Sequence, residues 1–239
     1  MGMTGGGTAQ EATPGVGQLT PAKPVLELYT SQGCNSCPPA DTLFETYARR
    51  SDLVALTLPV DYWDYLGWKD TLASPKHSAR QRAYAKARGD GRIYTPQVVV
   101  NGVTHVVGSS AGDIEQAIKD VTSRAGTQVP VAVRVEAGRL IIDVGEATTG
   151  IAGLNATIWL ASLQKEAEVP VRSGENRGRS LKYFNVVRDL TPVGMWSGKP
   201  ARFELVRDAV KLPETESCAV LIQTGKAGPI IGSAMLAAF

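Results

Sequence analysis

The sequence feature that most constrains the fold is a pair of cysteines, Cys34 and Cys37, set between an apolar run and a helix-forming stretch. The run Val25–Tyr29 predicts a buried strand. Residues 40–50 predict a helix with apolar side chains on one face. Two cysteines separated by two residues at the start of a helix can close a small disulfide ring. The order strand, Cys-x-x-Cys, helix therefore predicts a redox-active dithiol rather than a scattered pair of thiols.

The position of Cys34 at a helix N-terminus predicts its chemistry. Backbone N–H groups and the helix dipole favour an anion there, so the pKa of such a thiol falls from about 8.5 to roughly 3.5–7.5. Cys34 is the predicted attacking thiol, and Cys37 is predicted to resolve the mixed disulfide. Two alternatives stay open: an inert pair, and a zinc half-site. The second would need about four ligands, and the other Cys and His residues form no second tight pair: Cys218, His77 and His105.

The elements that follow predict an α/β thioredoxin-like unit over residues 23–126. After the dithiol helix come a second strand and helix, a hairpin around Asn101-Gly102, and a third helix. In this layout Thr95 and Pro96 fall beside the dithiol. They are predicted to form a cis peptide bond and to shape the edge that docks a substrate. The predicted strands and helices after the first pair are residues 53–60, 75–88, 97–100, 103–107 and 111–124.

An aromatic segment, Asp61–Trp68, follows the second predicted strand and holds two of the four tryptophans of the chain. It shows neither a helical nor a strand period, which favours a structured loop. We interpret it either as an aromatic wall beside the dithiol or as a plug that fills a small core. The candidate binding residues in it are Asp61, Tyr62, Trp63 and Trp68.

Residues 131–239 have a different texture, with short alternating strands and frequent turn signals, and predict a β-rich, sandwich-like domain. The segment Glu175–Arg179 in this half is either an ordinary glycine-bounded loop or a loop that reaches the dithiol or binds an anion. We predict that it packs near the dithiol through Arg177 or Arg179 and at least one carboxylate, because a buried guanidinium needs a paired acceptor.

The remaining composition limits the classes of function. A net charge of +2 gives no reason to expect a nucleic-acid partner, and no run of about 18 apolar residues predicts a membrane span. Residues 1–22, rich in Gly, Thr and Pro, predict a disordered leader that adds little to the stability of the core. They lack the apolar region of a signal peptide.

The chain resembles a bacterial thioredoxin-like family catalogued as domain of unknown function 1223. The resemblance rests on residues 26–41, which contain both cysteines and Pro38-Pro39, and on three further segments. It implies a thioredoxin-like half followed by a β-rich half, and a periplasmic or secreted location, with a cytoplasmic one left open. The further segments are residues 60–68, 94–97 and 174–179.

Two features depart from ordinary thioredoxins. Pro38 and Pro39 predict a helix that starts late, because proline disfavours helical geometry in the residue before it. The position six residues before Cys34, where thioredoxin carries a buried acid, is Leu28. Glu27 should point to the opposite face of the strand, so Asp61 is the candidate proton acceptor for Cys37.

The sequence therefore predicts a thiol–disulfide oxidoreductase-like protein that uses Cys34 and Cys37, with no cofactor. The expected partner is a protein or small molecule that carries a disulfide or thiol. The alternative is a non-catalytic binding module of the same fold, in which the two cysteines form a structural disulfide.

Overall fold

A computed structural model of the protein describes residues 18–123, 128–148, 153 and 155–238. Within these residues the chain has a mixed α/β architecture, with one eight-stranded and one three-stranded sheet. The first part contains β1 (Val25–Thr30), α1 (Pro38–Ala48), β2 (Val54–Pro59), a 3₁₀ turn (Asp64–Leu66), α2 (Pro75–Arg88), β3 (Gln97–Val100), β4 (Thr104–Val107) and α3 (Ala111–Ser123). The second part contains β5 (Val131–Glu136), β6 (Arg139–Val144), β7 (Ala156–Pro170), β8 (Ser180–Trp196), β9 (Ala201–Val206), α4 (Arg207–Val210), β10 (Ser217–Thr224) and β11 (Ile230–Leu236).

Strand β1 lies inside the large sheet, parallel to β2 and antiparallel to β3. Its side chains alternate between two cores, as expected for a strand. Val25 and Tyr29 pack in the core that includes Tyr84 of α2. Leu26 and Leu28 pack in the core formed with α1 and α3. The strand is buried on both faces, which explains its nearly continuous apolar sequence.

Helix α1 begins at Pro38, two residues before the predicted start at residue 40, and the prediction that Pro38 keeps Cys37 out of helical geometry is wrong. Pro38 and Pro39 occupy the first helical positions, where the missing N–H groups have no intrahelical partner to lose. Cys37 keeps helical geometry as the N-cap, with φ −79° and ψ −35°. Its carbonyl accepts the N–H groups of Ala40 and Asp41 at 2.9 and 3.1 Å.

The second part of the chain extends the sheet of the first. The strand order is β11-β10-β7-β8-β2-β1-β3-β4. Thr57 pairs with Val186 where β8 lies parallel to β2. The Thr57 hydroxyl donates to the Phe184 carbonyl at 2.6 Å, and the Asn185 amide donates to the Ala55 carbonyl at 3.1 Å. The division into domains 23–126 and 131–239 stays a prediction, and strands from both segments share one sheet.

The second part also contains a smaller sheet, ordered β5-β6-β9. Its apolar face packs on residues of β7, β10 and β11 in one core, where Trp196 is the largest fully buried side chain. A turn at Ala137-Gly138 joins β5 to β6, with φ of +48° and +76°.

The Asn101-Gly102 turn joins β3 to β4 and also contacts the far end of the chain. The side chain of Asn101 accepts the Val25 N–H at 2.6 Å, and its backbone carbonyl accepts the Ile230 N–H at 2.8 Å. Gly102 has a φ of +68°. A Cβ there would lie 2.6 Å from the Gly228 carbonyl oxygen, so the position excludes every side chain.

A buried ion pair connects β1, α2 and β10. Arg80 donates from Nε to Glu27 at 2.6 Å and from Nη1 to Gln223 at 3.0 Å. The Tyr84 hydroxyl accepts from Arg80 Nη2 at 2.7 Å and donates to Glu27 at 2.5 Å. Glu27 is 1% exposed and Arg80 9%. Arg80 therefore points from α2 into the core, where Glu27 neutralises its charge.

The predicted leader lies mainly outside the described residues, which begin at Gln18. Thr20 forms an antiparallel bridge with Val131. The backbone N–H of Lys23 donates to the Ser233 hydroxyl at 3.1 Å. The contacts of the folded structure therefore begin before Lys23.

Candidate functional site

Cys34 and Cys37 form a disulfide in the turn between β1 and α1, with their Cα atoms 5.4 Å apart. Cys34 is 2% exposed and Cys37 0%, while Asn35 and Ser36 between them are exposed. The Ser36 hydroxyl lies 3.4 Å from the Cys34 sulfur. The two residues between the cysteines are thus in contact with solvent, whereas the cysteines themselves are covered by other residues.

The aromatic segment Asp61–Trp68 packs directly on the disulfide turn. A Cβ on Gly33 would lie 3.2 Å from both the Cβ and the carbonyl oxygen of Trp63. The Trp68 indole donates to the Gln32 side chain at 2.8 Å. Trp63 and Trp68 therefore form a wall beside the disulfide turn.

Thr95 and Pro96 lie next to this wall. Their peptide bond is cis, as predicted. The Trp63 indole donates to the Thr95 hydroxyl at 2.8 Å. A Cβ on Gly108 would meet the Cβ atoms of Pro96 and Ala40 at 3.1 and 3.3 Å. Pro96 is therefore close to the first turn of α1.

Tyr62 and Asp61 turn towards α2. The Tyr62 hydroxyl donates to the Gln81 side chain at 3.2 Å, and burial raises the pKa of Tyr62 to about 12. Asp61 accepts a short hydrogen bond from the Ser78 hydroxyl. This contact holds the Asp61 carboxylate against Ser78 of α2, and the role of Asp61 as a proton acceptor for Cys37 stays a prediction.

A loop of the second part, residues 171–179, covers the disulfide turn. The Asn176 side-chain amide donates to the carbonyl oxygens of Gln32 and Cys34 at 3.0 and 2.9 Å. The Ser173 hydroxyl donates to the Gly67 carbonyl at 2.6 Å. We call residues 171–179 the covering loop.

The predicted Arg–carboxylate bridge is wrong. Arg177 and Arg179 are exposed, and neither forms an ion pair with any of the described residues. Arg179 instead donates to the Asn176 side-chain oxygen at 3.1 Å, which orients the amide. A neutral amide satisfies two carbonyls at once and avoids the cost of burying a guanidinium.

Three buried polar side chains lie together beneath the disulfide turn: Asp41, Asp70 and Tyr183. Asp41 accepts from the Thr30 hydroxyl at 2.6 Å, while its Oδ2 and the Tyr183 hydroxyl have no partner among the described residues. Burial, with a smaller contribution from Asp70, holds the pKa of Asp41 well above its usual range. Burial also raises the pKa of Tyr183, and the charges of both aspartates add to this shift.

Asp70 ties this buried cluster to the turn. Its Oδ2 accepts the Gln32 N–H at 2.8 Å, and its Oδ1 accepts the Leu72 N–H at 2.8 Å. Burial raises the pKa of Asp70 to about 6, although both backbone hydrogen bonds oppose the shift. The cluster can therefore hold a proton close to the disulfide at mildly acidic pH.

We expect this raised pKa to give Asp70 a measurable effect on the pH dependence of stability. The contribution is favourable below about pH 4 and is lost as the pH rises through about 6, because the unfolded carboxyl ionises first. The free-energy difference between the wild type and Asp70→Asn should therefore fall by roughly 2 kcal/mol from pH 4 to pH 7.

The measurement is urea unfolding of both proteins at several pH values. The comparison with the variant is needed because buried His77, whose pKa is lowered to about 4, acts with the opposite sign over the same range. Parallel pH curves for the two proteins would contradict the prediction.

Sequence reasoning missed Asn176, Asp41 and Asp70. Asp41 had a usable signal, since it lies four residues after Cys37 and hence on the same side of α1. Asn176 lies in the Glu175–Arg179 segment, but the prediction chose the two arginines of this segment as the residues that contact the dithiol region. Nothing in the local sequence of Asp70 marks it as buried.

Two further findings concern ions and membranes. No group of three His, Cys, Asp or Glu side chains is arranged to hold a metal ion within the described parts of the chain. Among the same residues, no helix combines the length and apolar character that crossing a bilayer requires.

Two solved structures resemble the protein. The crystal structure of protein AGR_C_4864 from Agrobacterium tumefaciens is 35% identical, with a TM-score of 0.79, and the match covers 95% of this chain and 96% of that one. HBP35 of Porphyromonas gingivalis is 11% identical, with a TM-score of 0.61 over 91% of this chain and 76% of that one, and shows a likeness of fold alone.

No curated protein matches the chain. A family described as "Protein of unknown function (DUF1223)" matches residues 25–223, which include the disulfide, the aromatic segment, the cis proline and the covering loop. The protein belongs to this family, DUF1223.

Proposed function

We propose that the protein exchanges disulfides with a thiol- or disulfide-containing partner through Cys34 and Cys37. The observation that carries the proposal is the disulfide at the junction of β1 and α1, with Cys37 as the helix N-cap. The positive end of the helix dipole favours a thiolate at this junction.

The arrangement of the first part supports a thioredoxin-like fold for this chemistry. The chain order is β1-α1-β2-α2-β3-β4-α3, and the strand order is β2-β1-β3-β4. Strands β1 and β2 are parallel, and β3 and β4 are antiparallel to their neighbours. This order places a Cys-x-x-Cys turn in a βαβ unit, the setting typical of thioredoxin-like redox proteins.

The reaction conserves electrons between the two partners. A partner thiolate attacks the Cys34 sulfur and the Cys34–Cys37 bond breaks, so that Cys37 leaves as a thiolate. A second partner thiolate then releases the mixed disulfide, which leaves the protein reduced and the partner oxidised. The reverse sequence, begun by the Cys34 thiolate, reduces a partner disulfide.

Asp41 is the group best placed to exchange a proton with Cys37. It follows Cys37 by four residues on α1, and one of its carboxylate oxygens has no hydrogen-bond partner among the described residues. Its raised pKa means that the buried carboxyl is readily protonated. In the proposed reaction Asp41 gives this proton to the departing Cys37 thiolate.

The covering loop controls access in this proposal. Cys34 is 2% exposed, so a partner reaches its sulfur only when the turn opens. We expect Asn176→Ala to speed reduction of the disulfide by dithiothreitol by about tenfold, since it removes two hydrogen bonds to the turn, together worth about 1.4 kcal/mol or more.

The matched control is Arg177→Ala in the same loop, where the side chain is exposed. This control should leave the reduction rate unchanged. The rates are measured by stopped-flow or by alkylation of the released thiols. Equal rates in the wild type and Asn176→Ala would contradict the role of the covering loop.

Burial of both sulfur atoms favours a second candidate function, a binding module held by a structural disulfide. The reduction potential separates the two. A value of about −120 to −270 mV supports exchange, and a value below about −300 mV supports a structural bridge.

A Cys37→Ser variant adds a direct test, because it should trap partners as mixed disulfides on Cys34. Cys34→Ser is the control, because it lacks the proposed attacking thiol. Cys218 should not react in its place, since it is buried and burial raises its pKa to about 12. Equal trapping by both variants would rule out Cys34 as the attacking thiol.

A further inference from the structure

A cavity of about 690 Å³ opens between helix α2 and strands β7 and β8. None of the described residues that line it belongs to the disulfide site. Its volume lies within the range of about 300–1,000 Å³ that is usual for small-molecule sites. The apolar side chains that line it are Ala79, Ala83, Trp159, Leu190, Pro192 and Met195.

The walls of this cavity leave apolar surface in contact with solvent. Met195 is 62% exposed although it lies in the same wall as Trp159 and Leu190. Trp159 and Leu190 are only partly buried where they pack against the neighbouring core. An apolar ligand in the cavity would therefore bury apolar side-chain surface that folding leaves exposed to water.

The titratable residues that line the cavity are all basic, and one of them, His77, is neutral at pH 7 because burial lowers its pKa to about 4. Lys76, His77, Arg80 and Lys226 line it, and none of the described lining residues is acidic. Two of these charges are already paired, Lys76 with Asp189 at 2.9 Å and Arg80 with Glu27 at 2.6 Å. Lys226 is exposed and forms no ion pair with the residues that the structure describes. One cation is therefore left at the rim for a ligand.

A polar group in the wall also lacks a partner. The Trp159 indole N–H is buried from solvent and donates no hydrogen bond within the described part of the chain. Because this N–H is covered by protein atoms, only other parts of the partly buried indole are available to a ligand in the cavity. Arg80 lies 5.8 Å from the centre of the Trp159 ring, which adds positive charge on the same side.

We propose that this cavity binds an anionic amphiphile, a molecule with an apolar chain and a single carboxylate. The chain fills the space between Ala79, Trp159 and Met195. The carboxylate accepts from Lys226 at the rim. An apolar volume with a basic and no acidic lining fits this class better than a neutral or cationic ligand. The proposal is independent of disulfide exchange at Cys34.

The test uses sodium dodecanoate below its micelle concentration, titrated into the full-length protein by isothermal calorimetry. Dodecyltrimethylammonium is the matched probe with the same chain and the opposite charge. We expect saturable binding of one dodecanoate per chain and at least tenfold weaker binding of the cation. The fluorescence of Trp159 should change on binding, and a Trp159→Phe variant identifies that signal.

Two variants locate the site. Ala79→Trp fills the cavity from an exposed position of α2 and should weaken binding at least tenfold. Ala87→Trp, at an exposed position of the same helix outside the cavity lining, should not. Lys226→Glu should weaken dodecanoate binding, whereas Lys86→Glu should not. Met195→Trp is a second filling variant at a highly exposed position, in case Ala79→Trp disturbs the helix.

Several outcomes would overturn the proposal. Absence of saturable binding would remove the site. Equal affinity for the anionic and cationic probes would mean that only apolar surface is recognised. Unchanged affinity in Ala79→Trp and Met195→Trp would place the ligand elsewhere. None of these results bears on the disulfide, whose reduction is measured separately.

Discussion

Replacing Glu27 by glutamine should lower the free energy of unfolding by about 3–5 kcal/mol, the usual cost of breaking a buried ion pair from one side. The change leaves the Arg80 guanidinium charged and 9% exposed, with the carboxylate that neutralises it gone. Tyr84 also loses an ionised acceptor for its hydroxyl. Urea unfolding at neutral pH measures the effect.

The double variant Glu27→Leu with Arg80→Met is the control. It removes both charges and keeps roughly the same volume, so it should recover much of the lost stability. A loss below about 1 kcal/mol for Glu27→Gln would contradict the prediction. So would a double variant no more stable than the single one.

Gly102→Val should have an effect at least as large, and we expect it to reduce the yield of folded protein or to cost about 4 kcal/mol or more. The residue has a φ of +68°, and its new Cβ would lie 2.6 Å from the Gly228 carbonyl and 2.9 Å from the Tyr84 ring. Neither a backbone oxygen nor a fully buried ring can move aside cheaply. Thermal unfolding of purified protein checks the expected loss.

Gly112→Ala is the matched control for this glycine. Gly112 lies in helix α3, and a Cβ there meets no atom within 4 Å. Alanine should be neutral there or add up to about 1 kcal/mol through its higher helix propensity. A similar loss in both variants would show that the crowding at Gly102 is unimportant.

Local sequence signals located most of the secondary structure. The predicted helix at residues 75–88 matches α2, where Ser74 caps the N-terminus and Gly89 ends the helix, because capping chemistry acts within a few residues. The Asn101-Gly102 signal located the hairpin for the same reason, since positive φ at both positions needs those residue types. In the second part the sequence predicts short strands, whereas β7 and β8 are 15 and 17 residues long.

The joining of the two parts was beyond sequence reasoning. Strand β8 pairs with β2 across more than a hundred residues, and no local period encodes which strand meets which. The same limit applies to Arg80 of α2. Its burial depends on hydrogen bonds to Glu27 of β1 and Gln223 of β10, which are distant in the sequence.

The candidate site shows the same division. The disulfide follows from the local Cys-x-x-Cys motif, and the cis Thr95–Pro96 bond follows from the predicted order of strands and helices around it. The contact of Asn176 with the turn does not, because it requires the covering loop to cross from the second part of the chain. The loop itself was placed correctly near the dithiol, but the wrong residue type was chosen for the contact. The prediction chose an arginine for this contact, whereas in the structure the neutral amide of Asn176 donates to two backbone carbonyl oxygens.

The pairing of β8 with β2 has a consequence for how the chain can be divided. Without the second part, β2 would be the edge strand of the sheet and would present unpaired N–H and C=O groups. The sequence of β2, VALTLP, is strongly apolar. Such an open sheet margin is a template for intermolecular β-pairing and aggregation. Strand β8 covers this edge, so removal of the second part should expose β2 and promote aggregation.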